Sequence, residues 1–210
     1  MTKALGFWIS FGLLASSGRV ITFDRAAVGH SPAGWTVAMT HAGAEPRWEV
    51  RQDNSAPSPP YVLAQVSADR HGDRYPLAIF DGVSLRDCDV SVRIKPVSGL
   101  QDQAGGVVWR YRDPNNYYLA RANAVSKNVA IFKVTNGERL PIAIAVPHDI
   151  ESNTWNILKV SVRGSRFQVY VNHRRILQAD DKTFSGPGRL GLWTVADSVT
   201  YFDDFRVYPK

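Results

Sequence analysis

Two short segments carry arginine and asparagine side chains at a spacing suited to ligand binding. Arg110 and Arg112 are two residues apart in one segment, and Arg121 and Asn123 are two residues apart in the next. Residues two apart on a β-strand point to the same face. The pattern therefore predicts a strand face rich in hydrogen-bond donors, which suits sugar hydroxyls and carboxylates as ligands.

The same alternation sorts the neighbouring residues between the two faces. It places Val107, Trp109 and Tyr111 inward, away from the arginines, and it places Trp193 on the outer face of a later segment. An indole on that face offers a flat apolar platform for a pyranose ring. Asp197, four residues on, is a further ligand-binding candidate. The alternative is that the arginines form a solvated outer face and that Trp193 is a core aromatic.

The carboxylates lack the arrangement that glycoside hydrolysis requires. A retaining glycosidase needs an acid and a nucleophile about 5 Å apart, but the chain has four glutamates and no E-x-D-x-x-E motif. The nearest acidic pair, Asp149 and Glu151, falls beside Pro147 in a predicted loop. The sequence therefore argues against a paired-carboxylate enzyme, and Glu49 and Asp197 are the first carboxylates to substitute in a test of hydrolysis.

Calcium is the one cofactor that the sequence suggests. Asp24 could ligate it with Asp203 and Asp204 if the two ends of the domain lie together, because Ca²⁺ prefers oxygen ligands. Aspartate also makes turns and caps strands, which is the alternative role. The single cysteine, Cys88, excludes a disulfide framework and a cysteine-based zinc site. The five histidines form no H-x-H or H-x-x-x-H pair.

The charge balance is basic but does not select a partner by itself. The 25 Lys and Arg residues exceed the 19 Asp and Glu residues, which gives a formal net charge of +6. These cations are scattered and form no run of five or more, so nucleic acid is not predicted as a partner. An acidic glycan or cell-surface polymer fits this charge as well, and the charge alone does not choose between these partners.

The first 17 residues have the composition of a signal peptide. Lys3 precedes an apolar stretch over residues 4–14, and small residues follow at 15–18. The apolar stretch is shorter than the roughly 20 residues that span a bilayer. We therefore expect export, to the medium, the periplasm or the cell envelope, with no membrane span after the signal is removed. The alternative is that residues 7–9 begin a buried strand.

The rest of the chain predicts an all-β, antiparallel two-sheet sandwich. From Cys88 onward, short alternating or β-branched segments recur with turn signals between them, and helical periodicity is scarce. Asn136-Gly137 accepts the positive φ values of a tight hairpin turn, so the segments on either side should pair. Residues 42–60 are predicted to hold one short strand, around Trp48 and Val50, followed by a loop. Residues 20–210 are expected to form one domain.

The order of the motifs resembles that of the concanavalin A-like jelly rolls, over nearly all of residues 20–210. The segments that carry the resemblance are Ile21-Thr-Phe-Asp24, Pro32-Ala-Gly-Trp35, Ala104-Gly-Gly-Val-Val-Trp-Arg110, Asp113-Pro-Asn-Asn-Tyr-Tyr118, Trp155-Asn-Ile-Leu-Lys-Val160, Gly188-Arg-Leu-Gly-Leu-Trp193 and Phe202-Asp-Asp-Phe205. More narrowly, they are similar to the laminin G-like branch and to bacterial 3-keto-disaccharide hydrolase domains. The resemblance implies two curved sheets, carbohydrate on the concave face and sometimes calcium near the chain ends.

Three functions are compatible with this resemblance. The first is a carbohydrate-binding domain without catalysis. The second is a hydrolase or lyase of the 3-keto-disaccharide type, although such domains carry an acidic residue where this chain has Leu119. The third is a structural or protein-interaction domain. The missing carboxylate pair and the arginine-rich strand face favour the first.

Overall fold

The computed structural model describes residues 18–146 and 149–210, which form two antiparallel sheets packed face to face. Sheet I contains eight strands, numbered along the chain: β1 (Arg19–Ile21), β3 (Trp48–Gln52), β4 (Tyr61–Gln65), β6 (Cys88–Ser98), β11 (Asn156–Arg163), β12 (Arg166–Val171), β13 (Arg174–Asp180) and β15 (Val199–Pro209). Sheet II contains seven: β2 (Trp35–Thr40), β5 (Tyr75–Leu85), β7 (Ala104–Asp113), β8 (Asn116–Asn123), β9 (Asn128–Thr135), β10 (Glu138–Ala145) and β14 (Gly188–Trp193). The predicted all-β sandwich is confirmed. The expected signal peptide lies outside the described residues.

The strand order places the arginine-bearing strands at the centre of Sheet II. Sheet I runs β13-β12-β11-β6-β15-β4-β3, with β1 also paired to β15, and Sheet II runs β10-β9-β8-β7-β14-β5-β2. Strands β7 and β8 therefore lie inside their sheet. No helix in the described part of the chain is long and apolar enough to cross a membrane.

Alternation of side chains builds the core between the sheets. Along β6, Cys88, Val90, Val92 and Ile94 are buried while the residues between them are partly exposed. The same pattern recurs along β11 and β12. Because successive side chains on a strand point to opposite faces, Sheet I has one apolar face, which packs on Sheet II, and one polar outer face.

The predicted Asn-Gly hairpin is present between β9 and β10. Asn136 has φ 52° and Gly137 has φ 86°, so both central residues take the left-handed conformation that this turn needs. Strands β9 and β10 pair directly on either side of it. The turn thereby places Arg139 near the start of the edge strand of Sheet II.

Sheet II differs from Sheet I because both of its faces are apolar. Its outer face carries a second cluster of buried side chains, which we call the concave cluster: Tyr75, Leu77, Ile79, Ala104, Val108, Tyr111, Tyr117, Leu119, Ala130, Phe132, Val134, Trp193, Val195 and Ala196. The ring nitrogen Nε2 of His41, just beyond β2, lies 3.0 Å from the carbonyl oxygen of Gly137 in the β9–β10 turn.

A β-bulge at Arg110 breaks the alternation of β7. The register of β7 against β8 shifts between Trp109 and Asp113, and Arg110 has φ 49°. A bulge adds one residue to a strand and so reverses the faces of the residues after it. Gly188 lies against this bulge, where a Cβ would come within 2.5 Å of the Arg110 carbonyl carbon. The alternation predicted through Arg112 is therefore wrong beyond Trp109, and Tyr111 belongs to the concave cluster.

Candidate functional site

Arg121 and Trp193 lie in one row across the concave face of Sheet II. Arg121 on β8 is opposite Gly106 on β7, and Gly106 is opposite Trp193 on β14. A Cβ at Gly106 would lie 3.4 Å from Trp193 Cε3 and 2.7 Å from Leu119 Cδ1. The absence of a side chain at Gly106 thus lets the indole lie against the middle strand, beside Arg121.

A second guanidinium reaches the same place from the edge of the sheet. The Cζ atom of Arg139 on β10 is 4.7 Å from the ring centroid of Tyr75, 5.0 Å from that of Phe132 and 5.7 Å from that of Trp193. The Cζ atom of Arg121 is 5.4 Å from the Phe132 centroid. We call Tyr75, Arg121, Phe132, Arg139 and Trp193 the paired-arginine site.

The two guanidiniums hold buried N–H groups that no acceptor in the described residues satisfies. These are Nε and Nη1 of Arg121, which is 9% exposed, and Nη1 of Arg139. Burying such donors without an acceptor is unfavourable by about 1–3 kcal/mol each. Burial, and then the positive charge of Arg139, lower the pKa of Arg121 to about 10. The site therefore favours a ligand that brings oxygen acceptors.

The carboxylate of Asp102 lies beside the two arginines of the site. Two of the predicted site residues, Asn123 and Asp197, hold it in place. Asp102 Oδ1 is 3.9 Å from Arg121 Nη1, and it accepts a hydrogen bond from Asn123 Nδ2. Asn123 Oδ1 in turn accepts from the backbone N–H of Val125 at 2.9 Å. Asn123 thus ties the loop that carries Asp102 to the end of β8.

Asp197 holds the same loop from the other side. Its carboxylate accepts the backbone N–H groups of Leu100 at 2.7 Å, Gln101 at 3.1 Å and Asp102 at 3.2 Å. Burial acts to raise the pKa of Asp197, but these N–H groups outweigh burial and leave the pKa below its ordinary value. Asn123 and Asp197, predicted as ligand-binding residues, are positioned to set the place of Asp102 beside Arg121.

Arg110 and Arg112 lie on the other face of Sheet II, so the predicted face shared by all four polar residues is wrong. The bulge turns Arg110 toward the sandwich interior, where it donates to the carbonyl oxygens of Arg86 at 3.1 Å and Phe184 at 2.6 Å. Burial lowers the pKa of Arg110. Arg112 is exposed, and its Cζ lies 4.9 Å from the Phe184 ring centroid.

Trp193 is on the predicted face but is not an open platform. It is fully buried, and its ring centroid lies 5.6 Å from that of Tyr75. The curvature of Sheet II brings these rings together, which sequence alternation alone does not reveal. Trp193 therefore lies beneath the paired-arginine site and supports Arg139, as a core aromatic of the concave cluster.

The acids predicted to bind calcium do not fit a calcium ion. Asp204 accepts from Arg206 at 3.0 Å, lies 3.4 Å from Arg93, and accepts the hydroxyl of Ser58 at 2.8 Å. Burial, with the charges of Asp204 and Asp24, raises the pKa of Asp203 to about 6. Asp24 keeps one oxygen unpaired. However, the described residues contain no group of three His, Cys, Asp or Glu side chains that could hold a metal ion.

Glu49, the other carboxylate singled out for a test of hydrolysis, lies on Sheet I. It forms ion pairs with Arg47 at 2.7 Å and Arg51 at 2.6 Å. Burial acts to raise the pKa of Glu49, but hydrogen bonds from the two arginines lower it overall. Glu49 is therefore held as a carboxylate in a structural ion pair, away from the concave face.

Comparison with known proteins places this geometry among carbohydrate-binding folds. The carbohydrate-binding module CBM66 from Bacillus subtilis superposes with a TM-score of 0.64 and 26% identity, over 82% of this chain and 94% of that module. The chain is a concanavalin A-like jelly roll. Domain 4 of AbnA, an extracellular arabinanase from Geobacillus stearothermophilus solved with arabinotriose, shares the fold with a TM-score of 0.58 and 14% identity, over 91% of this chain and 93% of that domain.

Sequence comparison gives one related enzyme. Levanase from Bacillus subtilis is 31% identical over 136 residues, which is 63% of this chain but 19% of the levanase. The chain thus spans about a fifth of the length of that protein. No protein-family model matches the chain.

Proposed function

We propose that the chain is a carbohydrate-binding domain that holds its ligand at the paired-arginine site. The observation that carries the proposal is the set of buried, unsatisfied N–H groups on Arg121 and Arg139. A ligand that accepts hydrogen bonds there removes an unfavourable feature of the free protein. Sugar hydroxyl and ring oxygens are acceptors of this kind.

The aromatic rings beneath the guanidiniums make the donors rigid. Arg121 and Arg139 both lie against Phe132, and Arg139 also lies against Tyr75 and Trp193. A guanidinium is planar, and stacking on a ring fixes the direction of its N–H groups. A ligand then loses little affinity to ordering of the side chains, because they are already ordered.

A β-fructan of the levan type is the ligand that we propose. Support comes from the 31% identity to a levanase and from the match to CBM66 over 94% of that module. Binding without cleavage is proposed because, near Arg121, Asp102 is the carboxylate that the described residues supply, and its Nη1–Oδ1 distance is 3.9 Å. Retaining and inverting hydrolysis both require two carboxyl groups.

Export remains part of this proposal. Lys3, the apolar residues 4–14 and the small residues 15–18 support a signal peptide, and a polysaccharide ligand would be met outside the cell. A fructan-binding domain that is not exported would have no access to a polymer of that size.

The test is calorimetric titration of the purified chain with levan oligosaccharides, with inulin and arabinan oligosaccharides alongside. We expect Arg121→Ala and Arg139→Ala to weaken levan binding by roughly 10–100-fold, the effect of losing charge-assisted hydrogen bonds. Arg189→Ala is the matched control, because its Cζ lies 5.2 Å from the Tyr111 centroid but its guanidinium is paired with Asp81 at 2.8 Å.

Three outcomes would contradict the proposal. Levan binding that survives both Arg121→Ala and Arg139→Ala would show that the ligand does not bind at the paired-arginine site. Release of reducing sugar from levan or from 3-keto-glucosides by the pure protein would show that the protein is an enzyme that cleaves its ligand. Loss of binding in Arg189→Ala alone would show that the ligand binds at the other end of the concave face, near Arg189.

A further inference from the structure

The outer face of Sheet I, on the opposite side of the molecule, carries a groove that the paired-arginine site does not use. It has a volume of about 410 Å³. One row of residues across four strands forms it, since Tyr170 pairs with Lys159, Lys159 with Ser91, and Ser91 with Arg206. The small side chain of Ser91 lies between longer neighbours on both sides. The groove is therefore a direct result of the sheet register.

The carboxylates that line this groove are less exposed than the cations paired with them, of which Lys159 lines the groove and Arg163 lies outside it. Asp89 accepts from Arg163 at 2.8 Å and lies 3.3 Å from Lys159. The Asp89 side chain is 18% exposed, whereas those of Lys159 and Arg163 are 40% and 44% exposed. The carboxylate therefore lies below the ammonium and guanidinium groups that it pairs with.

The same layering recurs on the other side of Ser91. Asp204 pairs with Arg93 and Arg206, and its side chain is 5% exposed while theirs are 36% and 41% exposed. Three cations that line the groove, Arg93, Lys159 and Arg206, thus face two carboxylates, Asp89 and Asp204, which leaves an excess of one positive charge. Asp89 and Asp204 also line the groove, but they are less exposed than its cations, so the N–H donors are the more accessible groups for a ligand.

Two tyrosines line the groove, Tyr170 at the β12 end of the row and Tyr208 on β15, two residues beyond Arg206. Tyr170 on β12 lies under Lys159, whose Nζ is 5.5 Å from the ring centroid, and Tyr208 on β15 is 40% exposed. Aromatic rings beside hydrogen-bond donors suit a sugar ring, because its C–H faces are apolar and its edges are polar. A bare inorganic anion would make no use of the tyrosines.

We propose that this groove is a second saccharide site, specific for a sugar that carries a carboxylate, such as a uronic acid residue. The carboxylate would lie over Ser91 and accept hydrogen bonds from Lys159 and Arg206. The tyrosines would contact the sugar ring. The domain would then bind two chemically different saccharides on opposite faces, one neutral and one acidic.

The experiment is titration of the full chain with a short oligogalacturonate, with its carboxyl-reduced neutral form and with sodium sulfate. Binding of the oligogalacturonate alone is the expected result. Lys159→Ala and Arg206→Gln should each weaken it by roughly tenfold or more, as loss of a charge-assisted hydrogen bond would. Arg166→Gln is the control, since Arg166 is on the same sheet in an exposed pair with Asp180 at 3.7 Å, outside the groove.

A steric variant distinguishes binding in the groove from nonspecific electrostatic binding to a basic surface. Ser91→Phe fills the centre of the row without changing the charge, and aromatic residues are well accepted on a half-exposed strand position. It should abolish oligogalacturonate binding and leave levan binding at the paired-arginine site unchanged. Unchanged oligogalacturonate binding in Ser91→Phe would overturn the proposal, as would equal binding of the neutral form or of sulfate. Because Arg121→Ala affects the other face, failure of one site does not imply failure of the other.

Discussion

Thr40 and Tyr117 are hydrogen-bonded across the concave face of Sheet II, with 2.9 Å between the Oγ1 atom and the phenol oxygen. Three strands lie between β2 and β8 in the sheet order. In a flat sheet, four strand spacings would separate them by about 19 Å. Curvature therefore closes one end of this face and presses the concave cluster together. The same curvature brings Arg139, from the edge strand, over Tyr75 and Trp193.

Thr40→Val should destabilise the fold, because it removes the hydroxyl that links Tyr117 to the Pro114 carbonyl. We expect a loss of about 1–3 kcal/mol in the free energy of unfolding, typical of a buried polar group left unpaired. Urea unfolding followed by tryptophan fluorescence measures it. Thr36→Val, on the same strand with an exposed hydrogen bond to Asp81, is the control and should change little. Equal effects of the two substitutions would mean that the Thr40 contact does not hold the curvature.

Gly106→Ala should disturb the row that joins Arg121 to Trp193. The new Cβ would lie 2.7 Å from Leu119 Cδ1 and 2.9 Å from the Ala120 carbonyl oxygen. Overpacking of this kind destabilises by about 1–3 kcal/mol. Gly186→Ala, where nothing lies within 4 Å of an added Cβ, is the comparison. Thermal unfolding of the two variants measures the difference, and we expect Gly106→Ala to have the lower melting temperature. Equal melting temperatures would contradict the predicted overpacking at Gly106.

Two buried arginines should respond in opposite ways to replacement by methionine. Arg110 donates to several backbone carbonyls, so Arg110→Met should lower the free energy of unfolding by roughly 3 kcal/mol. Arg121 is buried with donors unsatisfied, so Arg121→Met should leave stability unchanged or raise it by up to about 2 kcal/mol while removing levan binding. Denaturant unfolding and calorimetry measure the two properties. A large destabilisation by Arg121→Met would indicate a structural role instead.

The raised pKa of Asp203 predicts a pH dependence of stability. Burial raises this pKa from 3.8 to about 6, so the folded state favours the protonated acid. The associated stability is fully present below pH 3.8 and is lost as pH rises through about 6, by on the order of 3 kcal/mol. Asp203→Asn should flatten the change in unfolding free energy across that interval. A slope identical to that of the unsubstituted protein would assign the titration to another group.

Local patterns in the sequence were sufficient to predict the strands from Cys88 onward, but not β2, β4 and β5, and not the site. The alternation around Val90 and Ile94 and the Asn136-Gly137 turn depend on neighbours along the chain, so both were predicted correctly. The bulge at Arg110 depends on contact with Gly188 across the sheet and reversed the predicted faces. Arg139 was missed because its place in the site depends on the curl of the whole sheet.

The loop contacts of two polar residues predicted for the site were missed for a related reason, and ligand binding by Asn123 and Asp197 stays a prediction. Asn123 and Asp197 do lie near Arg121, but they position the loop of Asp102. That role depends on the path of residues 99–103, which carry no strand signal in the sequence. A side chain's type and spacing predict which face it occupies, whereas its hydrogen-bond partner depends on loops that are far away in sequence.

The most direct test of the proposed site is the NMR signal of the Arg121 Nε–H group during titration with levan oligosaccharide. This donor has no acceptor among the described residues of the free protein, whereas Arg110 Nε–H is bonded to the Arg86 carbonyl at 3.1 Å. We expect the Arg121 signal to shift and its hydrogen exchange to slow on binding, while the Arg110 signal stays in place. Binding with no change at Arg121 would contradict the paired-arginine site.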